Sequence, residues 1–130
     1  MQAQTVTRAV ESDIEPLTLY SILADASNIP AWAHIFADSI KPTGPHHATV
    51  TKSGETFPLE ILLNPAAATV DYIRPMPNNK RGGAYLRVIP RPLGGSTVIM
   101  TVPLAPGATE SATARSVDHE LTALLQLAGY

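Results

Sequence analysis

Cysteine is absent from the 130 residues. That excludes thiol nucleophiles, thiolate metal sites and disulfides. Charge is scarce as well, with 15% charged residues and a formal net charge of −2. A chain so weakly charged offers no concentrated basic surface, so nucleic acid is not an expected partner. No stretch approaches the ~20 apolar residues of a membrane-spanning helix. Met1 to Val10 alternates polar and apolar residues, which is neither a signal peptide nor an anchor. Membrane insertion is therefore not expected, and a cytoplasmic location suits a cysteine-free chain.

What is present is a globular composition. Hydrophobic residues make up 45% of the chain, well above disordered sequences. The length fits one domain spanning residues 1–130. A domain of this size buries roughly 68% of its extended-chain surface, enough to fold without a metal or disulfide.

Alternation at Val6, Arg8 and Val10 predicts a first strand. Ser12 with Glu15 three residues later has the spacing of a capping box, opening a helix through Leu17, Leu19, Tyr20, Ile22 and Leu23. Asp25 to Asn28 breaks it, and a short second helix is expected from Ile29 to His34. From Ile35 the period changes. Strands are expected around 36–41, 48–52, 57–63, 69–74, 84–90 and 97–104, separated by turns rich in Pro, Gly and Asn. Their spacing favours antiparallel hairpins over crossover helices. Pro58, Pro90 and Pro103 mark edges, bulges or strand ends. After Pro106-Gly107 a helix of about 20 residues follows, roughly 30 Å long. Val117, Leu121, Leu124 and Ala128 share one face of it, with Arg115, Asp118 and His119 opposite.

Period-two alternation assigns faces to the strands. Phe57, Leu59, Ile61 and Leu63 point inward, as do Val70, Tyr72, Leu86, Val88, Val98, Met100 and Val102. Most of these would be ordinary core in any fold.

The order of strand, two helices, six-strand meander and long helix resembles the START-like or SRPBCC superfamily, which includes birch-pollen-allergen-like and polyketide cyclase/dehydrase-like proteins. Residues 12–16, 19–25 and 28–32 (Asn-Ile-Pro-Ala-Trp) are similar to its N-terminal signature. Val88-Ile89-Pro90 followed by Gly94-Gly95-Ser96-Thr97-Val98 resembles its penultimate hairpin. The resemblance implies an α+β helix-grip fold, a curved antiparallel sheet of about seven strands around the last helix. It also implies a cavity between sheet and helix, of ~300–1,000 Å³ where ligands bind. A small hydrophobic molecule such as a lipid, polyketide or isoprenoid-like compound is then the expected partner, with no cofactor. Its walls would include Phe57, Leu59, Ile61, Tyr72, Leu86, Val88, Met100 and Val117, and its entrance Trp32, Glu110 and Thr113.

Chemical candidates are few. His34 follows Pro30-Ala31-Trp32 and could act as a base or hydrogen-bond a carbonyl, with Asp38 beside it if both turn inward. Glu110 falls above Val117 on the sheet-facing side of the last helix, where a carboxylate would titrate high, although acids also favour helix starts on electrostatic grounds alone. The Tyr72 hydroxyl could reach a ligand carbonyl or a backbone acceptor. These four would serve a cofactor-independent cyclase or dehydrase, the main alternative to simple binding. His46 and His47 point to opposite faces and have no third ligand, so a metal site is not expected. Five of the nine Lys and Arg residues, Arg74, Lys80, Arg81, Arg87 and Arg91, fall in one hairpin and could recognise a carboxylate or phosphate, or guard a sheet edge. A third alternative is an interaction module without ligand, in which Leu127 and Tyr130 belong to a homodimer or partner surface.

Overall fold

A computed structural model of the chain describes residues 3–130; Met1 and Gln2 of the alternating N-terminal run lie outside them. The elements are β1 (Thr5–Ser12), α1 (Pro16–Ala24), α2 (Ile29–Trp32), β2 (Ser39–Gly44), β3 (His47–Lys52), β4 (Glu55–Asn64), β5 (Thr69–Pro75), β6 (Arg81–Pro90), β7 (Ser96–Pro103) and α3 (Glu110–Leu127). The strands form one seven-stranded antiparallel sheet in the order β1-β7-β6-β5-β4-β3-β2. Short turns join each neighbouring pair of the meander, as loop closure favours. Only β1 joins at long range, with Thr5 opposite Pro103 and Ser12 opposite Ser96.

The sheet is curved, and α3 lies against its concave side, packing chiefly across β1 and against α2. Val117, Leu121, Leu124 and Leu125 are the buried apolar residues of α3. Its start is capped by Thr109, whose hydroxyl accepts from the Ala112 N–H at 3.2 Å, which satisfies one orphan amide of the first turn. Helices α1 and α2 fill the concave face through Leu19, Leu23, Ile29 and Trp32, all in the same core as Phe57, Leu59, Ile61, Val70, Tyr72, Leu86, Val88, Val98 and Met100. The inward faces expected from alternation are therefore the buried ones, with Leu63 and Val102 half-buried near strand ends.

Several boundaries differ from expectation. The capping box does not form. Helix α1 begins at Pro16, and Glu15, its cap residue, makes no side-chain cap bond. Proline pre-sets the helical φ at the first position and lacks an N–H to be capped. Ser12 instead ends β1, and its hydroxyl accepts from the Ile14 N–H at 3.2 Å. Phe36 is not in a strand. Its N–H donates to the Ala33 carbonyl at 2.9 Å, continuing the turn out of α2, and β2 starts only at Ser39. The second helix is shorter than expected, a four-residue α2 after a 3-10 turn at Ala26–Asn28. The basic hairpin formed by β5 and β6 does not guard an edge, because both strands are interior to the sheet.

Candidate functional site

On the inward face the pleat places Lys52 of β3, Glu55 and Phe57 of β4 and Arg74 of β5 at one end of the concave surface, beside the β3–β4 turn. The segment after α2 crosses above them with Ile35 and Phe36. Together these residues border an open recess of about 330 Å³. Phe36 meets Phe57 edge to face, with ring centroids 5.5 Å apart. The Arg74 guanidinium carbon sits 3.8 Å above the centre of the Phe57 ring, a cation–π contact. A second depression, of about 490 Å³, involves His47, Pro58, Glu60 and Pro75. Those residues alternate with the inward set, so it lies on the convex face, away from the core.

Below the recess the interior is apolar with a few polar atoms. Trp32 is only 1% exposed, and its ring lies 6.2 Å from that of Tyr72, tilted by 44°. The Tyr72 hydroxyl donates to the Leu23 carbonyl. Burial first, then the nearby Asp25 and Tyr20, push its pKa far above the ordinary tyrosine range. Such a phenol holds its proton and serves as a structural tie. Glu120 of α3 is 5% exposed. Burial pushes its carboxyl up to about 7, against a smaller opposing pull from the Phe36 N–H. Trp32 Nε1 and Glu120 Oε2 are buried without a hydrogen-bond partner among the described residues, and so is the hydroxyl of half-buried Tyr20. Each such atom costs ~1–3 kcal/mol unless something satisfies it.

The expected chemical candidates do not converge. His34 is exposed and stacks edge to face on His119, with ring centroids 5.0 Å apart. Asp38 is also exposed. The Ser53 N–H, then Lys52, hold its carboxyl below the usual carboxylate range, at 2.8 Å from Ser53 N and 3.1 Å from Lys52 Nζ. Lys52 also donates to the His34 carbonyl at 3.0 Å. His34 and Asp38 are thus linked by Lys52, but their side chains form no pair inside the fold. Glu110 stands exposed in the first turn of α3, where the helix dipole accounts for an acid. Thr113 is half-buried one turn later. Trp32, Phe57, Leu59, Ile61, Tyr72, Leu86, Val88, Met100 and Val117 all lie in one connected core. Leu127 and Tyr130 are exposed at the far end of α3. Among the described residues no cluster of three His, Asp or Glu residues could hold a metal, and no helix is long and apolar enough to cross a membrane.

Sequence reasoning missed Glu120. Acids are rarely buried, so a glutamate inside an apolar stripe passes as part of the solvent face. Its spacing held the signal: Glu120 sits three residues after Val117 and four before Leu124, on the inward side of the helix.

Comparison with solved structures identifies the architecture. A START superfamily protein from Mycobacterium smegmatis matches at a TM-score of 0.72 and 14% identity, covering 94% of each chain. The Zhui aromatase/cyclase from Streptomyces sp. R1128 matches at 0.68 and 16% identity, over 96% of this chain and 93% of that one. The protein Ara h 8.0201 matches at 0.62 and 14% identity, over 95% and 96%. No family model and no curated protein matches the sequence. What is shared at these identities is the fold.

Proposed function

Starting from a START-like, SRPBCC-type helix-grip fold, we propose that the protein binds a small hydrophobic molecule, of lipid, polyketide or isoprenoid-like character, between its sheet and α3. The observation that carries this reading is the pair of unpartnered polar atoms on Trp32 and Glu120, set in a core that is otherwise apolar. A ligand that buries its carbon skeleton against Leu59, Ile61, Leu86, Val88, Met100 and Val117 gains ~25 cal/mol per Å² of apolar area removed from water. A carbonyl or hydroxyl on it would accept from Trp32 Nε1 or bond to the Glu120 carboxyl, and such sparse polar groups fix orientation. Entry is through the recess at Phe36 and Phe57, with the segment after α2 swinging outward. Tyr72 and Thr113 complete the wall. Glu110 is left outside it.

The chain contains one tryptophan, which places an intrinsic reporter at the centre of the proposed site. Native mass spectrometry of freshly purified protein, before and after organic extraction, tests the reading together with Trp32 fluorescence against a lipid and polyketide panel. A discrete co-purifying mass, or a saturable shift of Trp32 emission accompanied by thermal stabilisation, supports it. No bound mass, no spectral change and no stabilisation across the panel sinks it.

A second reading, a cofactor-independent cyclase or dehydrase, is favoured by the burial of Glu120 with an unpartnered carboxyl oxygen: burial pushes that carboxyl up to about 7, where a general acid or base works best. On that reading Glu120 takes the proton from the carbon next to a ligand carbonyl and returns it to the departing oxygen. Turnover that follows an ionisation near pH 7 and disappears in Glu120→Gln, with ligand affinity retained, would establish it.

A further inference from the structure

The recess at the open end of the concave face contains a cation, Arg74, that no carboxylate among the described residues pairs with. Arg74 has the same parity as Val70 and Tyr72 on β5, so it belongs to the inward face. It is half-buried, and β5 is flanked by β4 and β6, so it is no edge guard. One side of its guanidinium is covered by the Phe57 ring at 3.8 Å. Among the described residues no carboxylate comes within salt-bridge distance of it, although Glu55 lines the same recess. The other cation there, Lys52, is already engaged by Asp38 and by the His34 carbonyl.

From this contrast we infer that Arg74 is the anchor for an anionic group, carboxylate or phosphate, at one end of the otherwise apolar ligand. The inference rests on the binding reading above and narrows it to amphiphilic anions. Its chemistry follows from the guanidinium. Five N–H donors in a planar fork match the paired oxygens of a carboxylate or phosphate. Stacking on Phe57 fixes the fork before the ligand arrives, so less side-chain freedom is lost on binding. The Phe57 ring covers one face of the guanidinium and keeps water off that side. On the binding reading the charged end of the ligand stays at the recess beside Phe57 and Arg74, and its apolar body points away from them toward the core. Glu55 at the rim adds a negative charge that disfavours ligands whose exposed end carries more than one anionic group.

The test compares three probes with one alkyl chain, dodecanoate, dodecyl phosphate and dodecanol, by Trp32 fluorescence titration and calorimetry below their critical micelle concentrations. On the wild-type protein at least one anion is expected to bind about tenfold or more tightly than the alcohol, the gain typical of a charge-assisted hydrogen bond. Which anion leads distinguishes a carboxylate ligand from a phosphate one. Arg74→Gln should remove that preference while leaving dodecanol affinity within about twofold, and Arg74→Lys should keep part of it. Equal binding of all three probes to the wild type, or a preference that survives Arg74→Gln, overturns the inference while the apolar site stands. Failure of every probe to bind overturns both, and the wild-type comparison holds even if a variant does not fold.

Discussion

The Tyr72 hydroxyl on β5 donates to the carbonyl of Leu23 at the end of α1, joining residues 49 apart in sequence across the core. This bond ties the end of α1 to β5 inside the core, beside the Trp32 ring that packs on Tyr72. Tyr72→Phe keeps the ring against Trp32 and orphans a buried carbonyl. A loss of about 1–3 kcal/mol is expected in urea unfolding, with Trp32 emission of the native state shifted. An unchanged midpoint would mean that the bond contributes nothing.

Glu120 gives stability a dependence on pH. Its carboxyl is raised from 4.5 to about 7 in the fold, so between those values the native state holds more protons than the unfolded chain. Stability is therefore greatest below pH 4.5 as far as this group is concerned. It falls as pH rises through the window and levels off above about 7. Glu120→Gln should remove that slope and raise stability at pH 8 by roughly 1–3 kcal/mol. Chemical denaturation from pH 5 to 8 of both proteins checks the sign. A parallel pair of curves would show that the carboxyl is not buried as described.

Gly83 of β6 has no room for a side chain against β5. Its φ is +109°, and a Cβ there would stand 1.9 Å from the Tyr72 carbonyl oxygen. Backbone cannot yield as a flexible side chain can. Gly83→Ala should cost more than about 2 kcal/mol, combining backbone strain with steric overlap. A thermal melt within a degree or two of wild type would contradict the register of β5 and β6.

On α3, Leu121 and Leu127 separate the docked face from the free one. Leu121 is 1% exposed and Leu127 43%. Leu121→Ala should destabilise by about 2–5 kcal/mol, and Leu127→Ala by under ~0.5 kcal/mol. Equal effects would mean that the helix is rotated on the sheet, or that Leu127 is covered in solution by a partner.

The strands were the legible part of this chain. Their side chains alternate with period two, and one face of each had to be apolar, so Phe57, Leu59 and Ile61 declare their direction without help from the rest of the fold. Local rules failed where two of them competed. At residues 12–16 the capping-box spacing and the proline signal disagree by one turn, and Pro16 decides because its fixed φ leaves the helix no earlier start. Phe36 reads as strand from its neighbours, yet a backbone bond to Ala33 holds it in a turn. The site was less visible still. Only its helical spacing from Val117 and Leu124 sets Glu120 apart from the solvated acids around it. Parity with Val70 and Tyr72 is enough to turn Arg74 inward, but that it stacks on Phe57 without a carboxylate partner depends on the register of β4 and β5. Periodicity reports which way a charge turns, whereas the pairing of strands decides what it meets there.

Strand β1 is held by β7 on one side and crossed by α3, with Arg8 reaching Asp118 at 2.8 Å. These partners stand 84 to 110 positions downstream of it (Ser96 from Ser12, Asp118 from Arg8). During synthesis the opening strand must therefore wait, unpaired, until nearly all of the meander has emerged. Closure of so distant a contact is slow compared with hairpin formation. Until α3 follows, the part of the apolar concave face that this helix covers stays open, and that interval is when holding chaperones would matter most.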